Sequence, residues 1–500
     1  MKKIISLILV FIFLFSCNVV AFAAESSWEY DSKNAALIIK SDNIKPNIEN
    51  EYPWAEYSED INELIIGDDV TVFDEDVTDS LVNLESITVN EDNHNFVTDE
   101  DGTLFNGDKT ILIKYMDDDF NGTYIIPDTV EIIGEEAFED HDELTSIVIP
   151  EGVITIGDYA FLDCHGLFEI IIPDSVVTIG EGAFEDCGGL KRVVIGNGAT
   201  KIGESAFEDC DRIIDLTIGA NVSVIGNYAF YDCQSLKKVV IPDSVILIGE
   251  GAFEDGDSLE TVIIGDGVGK IGVSAFEDCD KLVDVTIGKN VIKISDYAFY
   301  DCFSLTEITI PESVTTIGNY AFGDCYSLSV VRISGNLTSV GLLAFNSSIS
   351  ICKIYFDGSI EQWNDMPYEL KAVASLLNAT IYYNSNEEYT FEIANPSRFS
   401  LNYKDGIVLH TNMQGEIPEG AEIRWSANNK NFIIESDEDN SSVIVVSNLT
   451  GITEFTATLI DENGNVIAID TVDLSSNAGF FQKISGVFRV IFGLTKIYPN

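Results

Sequence analysis

Positive charge is what this sequence has least of. Its 27 lysines and arginines face 84 aspartates and glutamates, for a formal net charge of −57. A surface that acidic repels phosphate backbones, which excludes nucleic acid as a partner. Histidine is also scarce: there are only four, His94, His141, His165 and His410, and no pair has a metal-ligand spacing. No phosphate loop, zinc motif or nucleophile elbow occurs, so no cofactor is implied. Beyond the N-terminal leader, no apolar run reaches the ~18 residues of a membrane span.

The leader itself reads "MKKIISLILVFIFLFSCNVVAFAA". Two lysines, an apolar run and Ala21-Phe22-Ala23 make residues 1–23 a secretory signal peptide, which predicts a secreted or cell-surface bacterial protein. Leu14-Phe15-Ser16-Cys17 offers a second reading as a lipoprotein acceptor box, although Phe15 is large for that place. With 46% hydrophobic residues, most of the remaining chain should fold.

A period organises that remainder. An Ala-Phe pair ends at Phe138, Phe161, Phe184, Phe207, Phe230, Phe253, Phe276, Phe299, Phe322 and Phe345, always in steps of 23 residues. One copy, 190–212, reads "LKRVVIGNGATKIGESAFEDCDR". Its apolar set cannot bury itself within a single coil, but stacked coils close into a continuous core, as in a solenoid. "RVVI" is the strand, with Val193 and Ile195 turned inward and Arg192 and Val194 outward. Glycine four before each Phe (Gly180, Gly203, Gly226) suits a tight return, and only Ser295 breaks that column. Residues 182–250 and 251–319 also align with each other, which suggests duplication of a 69-residue block.

Each unit pairs an acid with a thiol, and that pair could be chemistry or architecture. Cysteine stands three after Phe at 164, 187, 210, 233, 279, 302 and 325, while His141, Gly256 and Ser348 fill the slot elsewhere. In-register thiols on neighbouring coils do not offer disulfide geometry, so the column reads as small, buried, hydrophobic groups. Disulfides or a metal role are the alternatives. The aspartates before that slot, Asp140 to Asp324, would repel too strongly if buried, so they should be solvated or bonded to turn amides; calcium bridging is the sharper alternative. A ladder repeats one residue, whereas an active site needs unlike residues converging. Cys352 lies off the ladder and reads as a packed thiol. The chain is therefore not expected to be an enzyme.

These units, as in "IPESVTTIGNYAFGDC" (310–325), resemble the BspA-type leucine-rich repeats, also described as Treponema-pallidum-type repeats. The resemblance spans about 60–385, with regular coils over about 127–356, and implies a solenoid with a parallel β-sheet face. Members resemble surface adhesins and host- or matrix-binding proteins, so the resemblance implies a binding role without naming ligand residues. Residues 24–59 read as an N-terminal cap, 87–115 as a longer coil with a hairpin at "NGDK", and 354–384 as closing coils in which Trp363 covers the core.

From 389 to 475 the period gives way to short alternating strands that resemble a bacterial immunoglobulin-like sandwich with Trp425 at its centre. The final segment, 476–500, is basic and aromatic. Phe480, Ile484, Val487, Phe488, Ile491 and Phe492 recur at helical spacing. Phe480, Phe481, Ile484, Phe488, Arg489 and Phe492 are the candidates for contact with an anionic membrane surface or an envelope docking groove, packing on the sandwich being the alternative. The outward strand positions form the expected partner face. Lys191, Arg192, Val194, Lys237, Lys238, Val240, Arg332 and Tyr355 are its candidate residues, for a protein or extracellular-matrix ligand. A non-catalytic spacer of the cell envelope is the alternative function, with an enzyme acting on surface polysaccharide less favoured.

Overall fold

A computed structural model describes residues 27–117 and 122–383, apart from 43, 47–51, 75 and 378, together with seven strand segments between 389 and 476. The leader and the basic segment 477–500, including Phe480, Phe481, Ile484, Phe488, Arg489 and Phe492, lie outside the described residues.

The chain divides into two compact units at Asp117. In the first, strands Trp28–Asp31 and Ala36–Ile39 form an antiparallel hairpin, and Glu63–Ile66 and Ser86–Val89 extend it in parallel. Alternation turns Leu37, Ile39, Leu64, Ile66 and Ile87 onto Trp54, which is wholly buried. Trp54 stacks on Tyr52 at 4.8 Å, and its indole N–H donates to Ser80 Oγ at 2.9 Å. Leu104–Asn106 and Ile111–Lys114 pair antiparallel about the turn "NGDK", with Lys109 left-handed.

In the second unit every 23-residue coil has three walls. The strand wall is the β-rich piece: Arg192–Ile195 buries Val193 and Ile195 and pairs with its neighbours in a register shifted by one coil. A second, two-residue strand follows, and these short strands pair in parallel from Ile132–Ile133 to Ser339–Val340. The third wall is a turn around Ala-Phe. Phe138 to Phe345 stack face to face beneath it, with centroids 4.8–5.4 Å apart and planes within 2–11°. Each ring is almost wholly buried, contributing about 1.5–3 kcal/mol by transfer alone.

The turn wall has a backbone rule of its own. The residues two before and two after each Phe are left-handed, with φ between 51° and 62°. With its handedness alternating in this way, the segment donates every second N–H to the next coil: Ser205 to Asn227 O, Phe207 to Ala229 O and Asp209 to Tyr231 O, at 2.9–3.0 Å. The recurring Asp thus occupies a conformation that aspartate tolerates better than most residues. The glycine column does something other than turn the chain. A Cβ on Gly203 would lie 1.9 Å from Gly180 O, so glycine is needed because successive backbones touch. Ser295 is accommodated by donating its hydroxyl to Ile271 O at 2.6 Å.

The array closes on strand Thr380–Tyr383 and on two short helices, Ile360–Asp365 and Tyr368–Leu377. Ser359 and Gln362 form a reciprocal capping box at the first helix. That helix presses Trp363 edge-on against Phe356 at 5.2 Å, covering the last coil. Beyond it, Glu422–Ala427, Gly451–Ile460 and Val466–Ser476 pair antiparallel. The connecting residues on which an immunoglobulin-like assignment depends lie outside the described ones.

Candidate protein-binding face

The turn wall carries the acids and thiols, and its geometry assigns them. Cys187 Sγ donates to Phe161 O at 3.0 Å and Cys210 to Phe184 O at 3.1 Å. The pattern repeats at Cys164, Cys233, Cys279, Cys302 and Cys325, and Ser348 makes the same bond to Phe322 O at 2.7 Å. The carbonyl of Phe is the turn's remaining acceptor, and the next coil's thiol serves it. Burial raises the thiol pKa of Cys187, Cys210, Cys233, Cys279 and Cys302, so these groups stay protonated and inert as nucleophiles. All eight described cysteines are free. The expectation of buried structural thiols holds, with one change: the thiol is a donor as well as a filler. Cys352 is half-buried against Ser329 O at 3.6 Å.

Outside the thiols runs a half-buried stripe of carboxylates. Desolvation and the neighbouring acids push Asp209 and Asp278 up to about 6 and Glu254 to about 7. These three groups therefore hold protons at a higher pH than free carboxylates do. The stripe repeats like charges from coil to coil, interrupted among the described residues at His165, whose Nε2 lies 3.5 Å from Asp186 Oδ1.

The strand wall faces solvent with a different set. Ile125, Val148 and Ile171 stand one above another on successive coils at 65%, 44% and 52% exposure, with Phe168 beside them at 54%. Lys191 Nζ lies 4.8 Å over the Phe168 ring, and Arg192 binds both Glu169 and Asp215. The Arg192 guanidinium, a candidate of the partner face, is thus neutralised by acids of the two neighbouring coils. Lys237, Lys238 and Val240 are exposed two coils on, and Val194 is half-buried. Arg332 stacks over Tyr355 at 4.3 Å with Glu307 3.7 Å away, and Tyr355 stacks on Tyr382 at 4.4 Å. Arg192 and Arg332 are six coils apart, roughly 30 Å at strand spacing, so the predicted residues form two stations.

This wall is not one continuous sheet. Strands 169–172, 192–195 and 215–217 form one sheet, 238–241, 261–264 and 284–286 a second, and 307–309 begins a third. The coils that open them carry Pro173, Pro242 and Pro311, which lack the N–H that Gly196 donates to Ile172 O at 2.9 Å. Proline contributes without acting alone, since 146–148 pairs with 123–125 despite Pro150. At the breaks, Leu216 and Val285 become half-buried where Val193 and Val262 are sealed. A groove of about 360 Å³ opens at the last break, between Asp284, Val285 and Thr286 on one side and Glu307, Thr309 and Pro311 on the other. The 69-residue repeat, read from sequence as added length, also sets the places where the wall opens. Proline in a strand-end slot held by glycine in the intervening coils was the available signal.

The family model described as "BspA type Leucine rich repeat region" matches residues 131–260 and 246–371, just under half of the chain, in six copies. Over those residues the coils resemble BspA-type leucine-rich repeats. Such repeats speak for a protein-interaction or surface role and are typically non-catalytic. No curated protein matches the chain significantly. Among solved structures, the chain is similar to a leucine rich cell surface protein from Faecalibacterium prausnitzii, at 23% identity over 54% of this chain and 94% of that one, TM-score 0.27. It is also similar to a leucine-rich repeat protein from Eubacterium ventriosum (26%, 53% and 59%, TM-score 0.33) and to the T. pallidum leucine rich repeat protein (21%, 47% and 86%, TM-score 0.29). At those scores the likenesses add nothing to the family match. No described helix is long and apolar enough to cross a membrane.

Proposed function

We propose that this chain is an exported, adhesin-like binding protein whose strand wall takes a protein of the extracellular matrix or of another cell. The exposed apolar column Ile125, Val148, Ile171, flanked by Phe168, carries the reading. Branched residues there favour strand formation, but an exposed phenylalanine beside three exposed aliphatics adds a contiguous apolar patch of the kind partners cover. The exposed amines of Lys237 and Lys238 supply local positive charge on a strongly acidic molecule, suiting an acidic segment of the partner. Secretion through residues 1–23 and retention at the envelope through residues 476–500 belong to the same proposal.

The full chain should bind at least one of immobilised collagen, fibronectin or laminin in a biosensor assay. Val148→Asp with Ile171→Asp, and separately Lys237→Glu with Lys238→Glu, should each weaken that binding at least tenfold. Binding by both double variants as tight as that of the parent chain, or no binding by the parent chain, overturns the reading.

A further inference from the structure

Four histidines without a ligand spacing gave no metal site in the sequence, but the fold brings one of them among acids from three coils. His165 stands four residues after Phe161, and Asp142 occupies the same place one coil earlier. Asp142 Oδ1 lies 3.0 Å from His165 Nδ1 and also accepts the His165 backbone N–H at 3.3 Å. The carbonyl of Asp163 is a second acceptor 3.1 Å from the same ring nitrogen. Two oxygen acceptors at Nδ1 hold a proton there, so Nε2 carries either a second proton or a lone pair open to a metal ion. Nε2 faces Asp186, whose Oδ1 is 3.5 Å away.

Nε2 and Asp186 Oδ1 need a cation between them, which is either the second imidazole proton or a metal ion. Asp163 and Asp186 hold equivalent left-handed positions on adjacent coils, and their carboxylates lie within hydrogen-bond reach of each other. One ligand atom from each of Asp163, His165 and Asp186 lies within 4.8 Å of the others. An imidazole that gives Nδ1–H to a carboxylate or carbonyl while turning Nε2 toward further ligands has the orientation of a metal-bound histidine, held by its outer partner. We propose that His165 Nε2, Asp163 and Asp186 bind a divalent ion of the zinc class, with Asp142 as the positioning residue. The nitrogen donor selects such an ion over calcium or magnesium, which take oxygen ligands. Three protein ligands leave the remaining positions to water.

The array contains its own control. At the slot of His165 the next coils carry Gly188, Asp211, Gln234 and Asp257, so the same acid column recurs there without an imidazole. The test is a zinc titration of the full chain by competition with a fluorescent chelator, in millimolar magnesium and calcium to occupy the acidic surface. One ion should bind tightly. His165→Gln should weaken it at least tenfold, Asp186→Asn likewise, and Asp232→Asn should change it less than twofold. Cobalt substitution should give a visible absorption band that His165→Gln shifts or abolishes. All three substituted side chains are at least partly exposed, so circular dichroism should report the fold of each variant unchanged. Absence of binding, or binding that His165→Gln and Asp232→Asn affect equally, overturns the proposal.

Discussion

Replacing Cys210 separates two views of the thiol ladder. If the sulfur only fills space, alanine should be the better substitute, because serine buries a hydroxyl in an apolar slot. If the thiol serves the Phe184 carbonyl, whose Sγ–O distance is 3.1 Å, serine should win. Cys210→Ala removes that donor, and an unsatisfied buried carbonyl costs about 1–3 kcal/mol. Loss of the sulfur's packing adds about 1 kcal/mol, for a total of about 2–4 kcal/mol. Cys210→Ser keeps the donor and loses only the packing, so about 1 kcal/mol is expected. Ser348 already makes this bond at 2.7 Å in the same slot. Urea unfolding under reducing conditions, with amide exchange at Ala206 and Phe207 as a local probe, measures the difference. An alanine variant as stable as the serine variant would refute the donor argument.

Two further outcomes follow from the turn and glycine columns. Gly203→Ala places a methyl 1.9 Å from Gly180 O, and since backbone must move, destabilisation of more than about 3 kcal/mol is expected in the same unfolding assay. Asp209, Asp278 and Glu254 have folded pKa values of about 6, 6 and 7, above those of free carboxylates. The folded state therefore binds more protons than the unfolded one between about pH 4 and 7, and this contribution to stability rises as pH falls through that window. The thermal midpoint should climb from pH 8 to pH 5.5, and Glu254→Gln should flatten the climb; a midpoint independent of pH would show the stripe to be fully solvated.

The period, the strand with Val193 and Ile195 inward, the Phe column and the closing role of Trp363 were all legible in the residues. Each rests on apolar spacing, and burial of apolar surface depends little on where a polar atom points. Less legible was what the polar atoms do. The aspartate column was read as an electrostatic problem, yet its first cause is a left-handed φ that side-chain type only hints at. The glycines were read as turn residues, and contact between coils explains them. The ion pairs of Arg192, a candidate of the partner face, were not legible, because Glu169 and Asp215 are 23 residues away on either side and meet it only once coils stack.

Residue types and their spacing alone determined that the array is a solenoid, and that recurring side chains become stripes. Only the tertiary structure decided which acceptor each thiol meets, where the strand wall opens at Pro242 and Pro311, and that His165 lies among acids from three coils. The physical reason is reach. Apolar burial is non-directional and follows from a pattern along the chain, whereas hydrogen bonds, ion pairs and metal ligands depend on ångström distances between atoms a full coil apart.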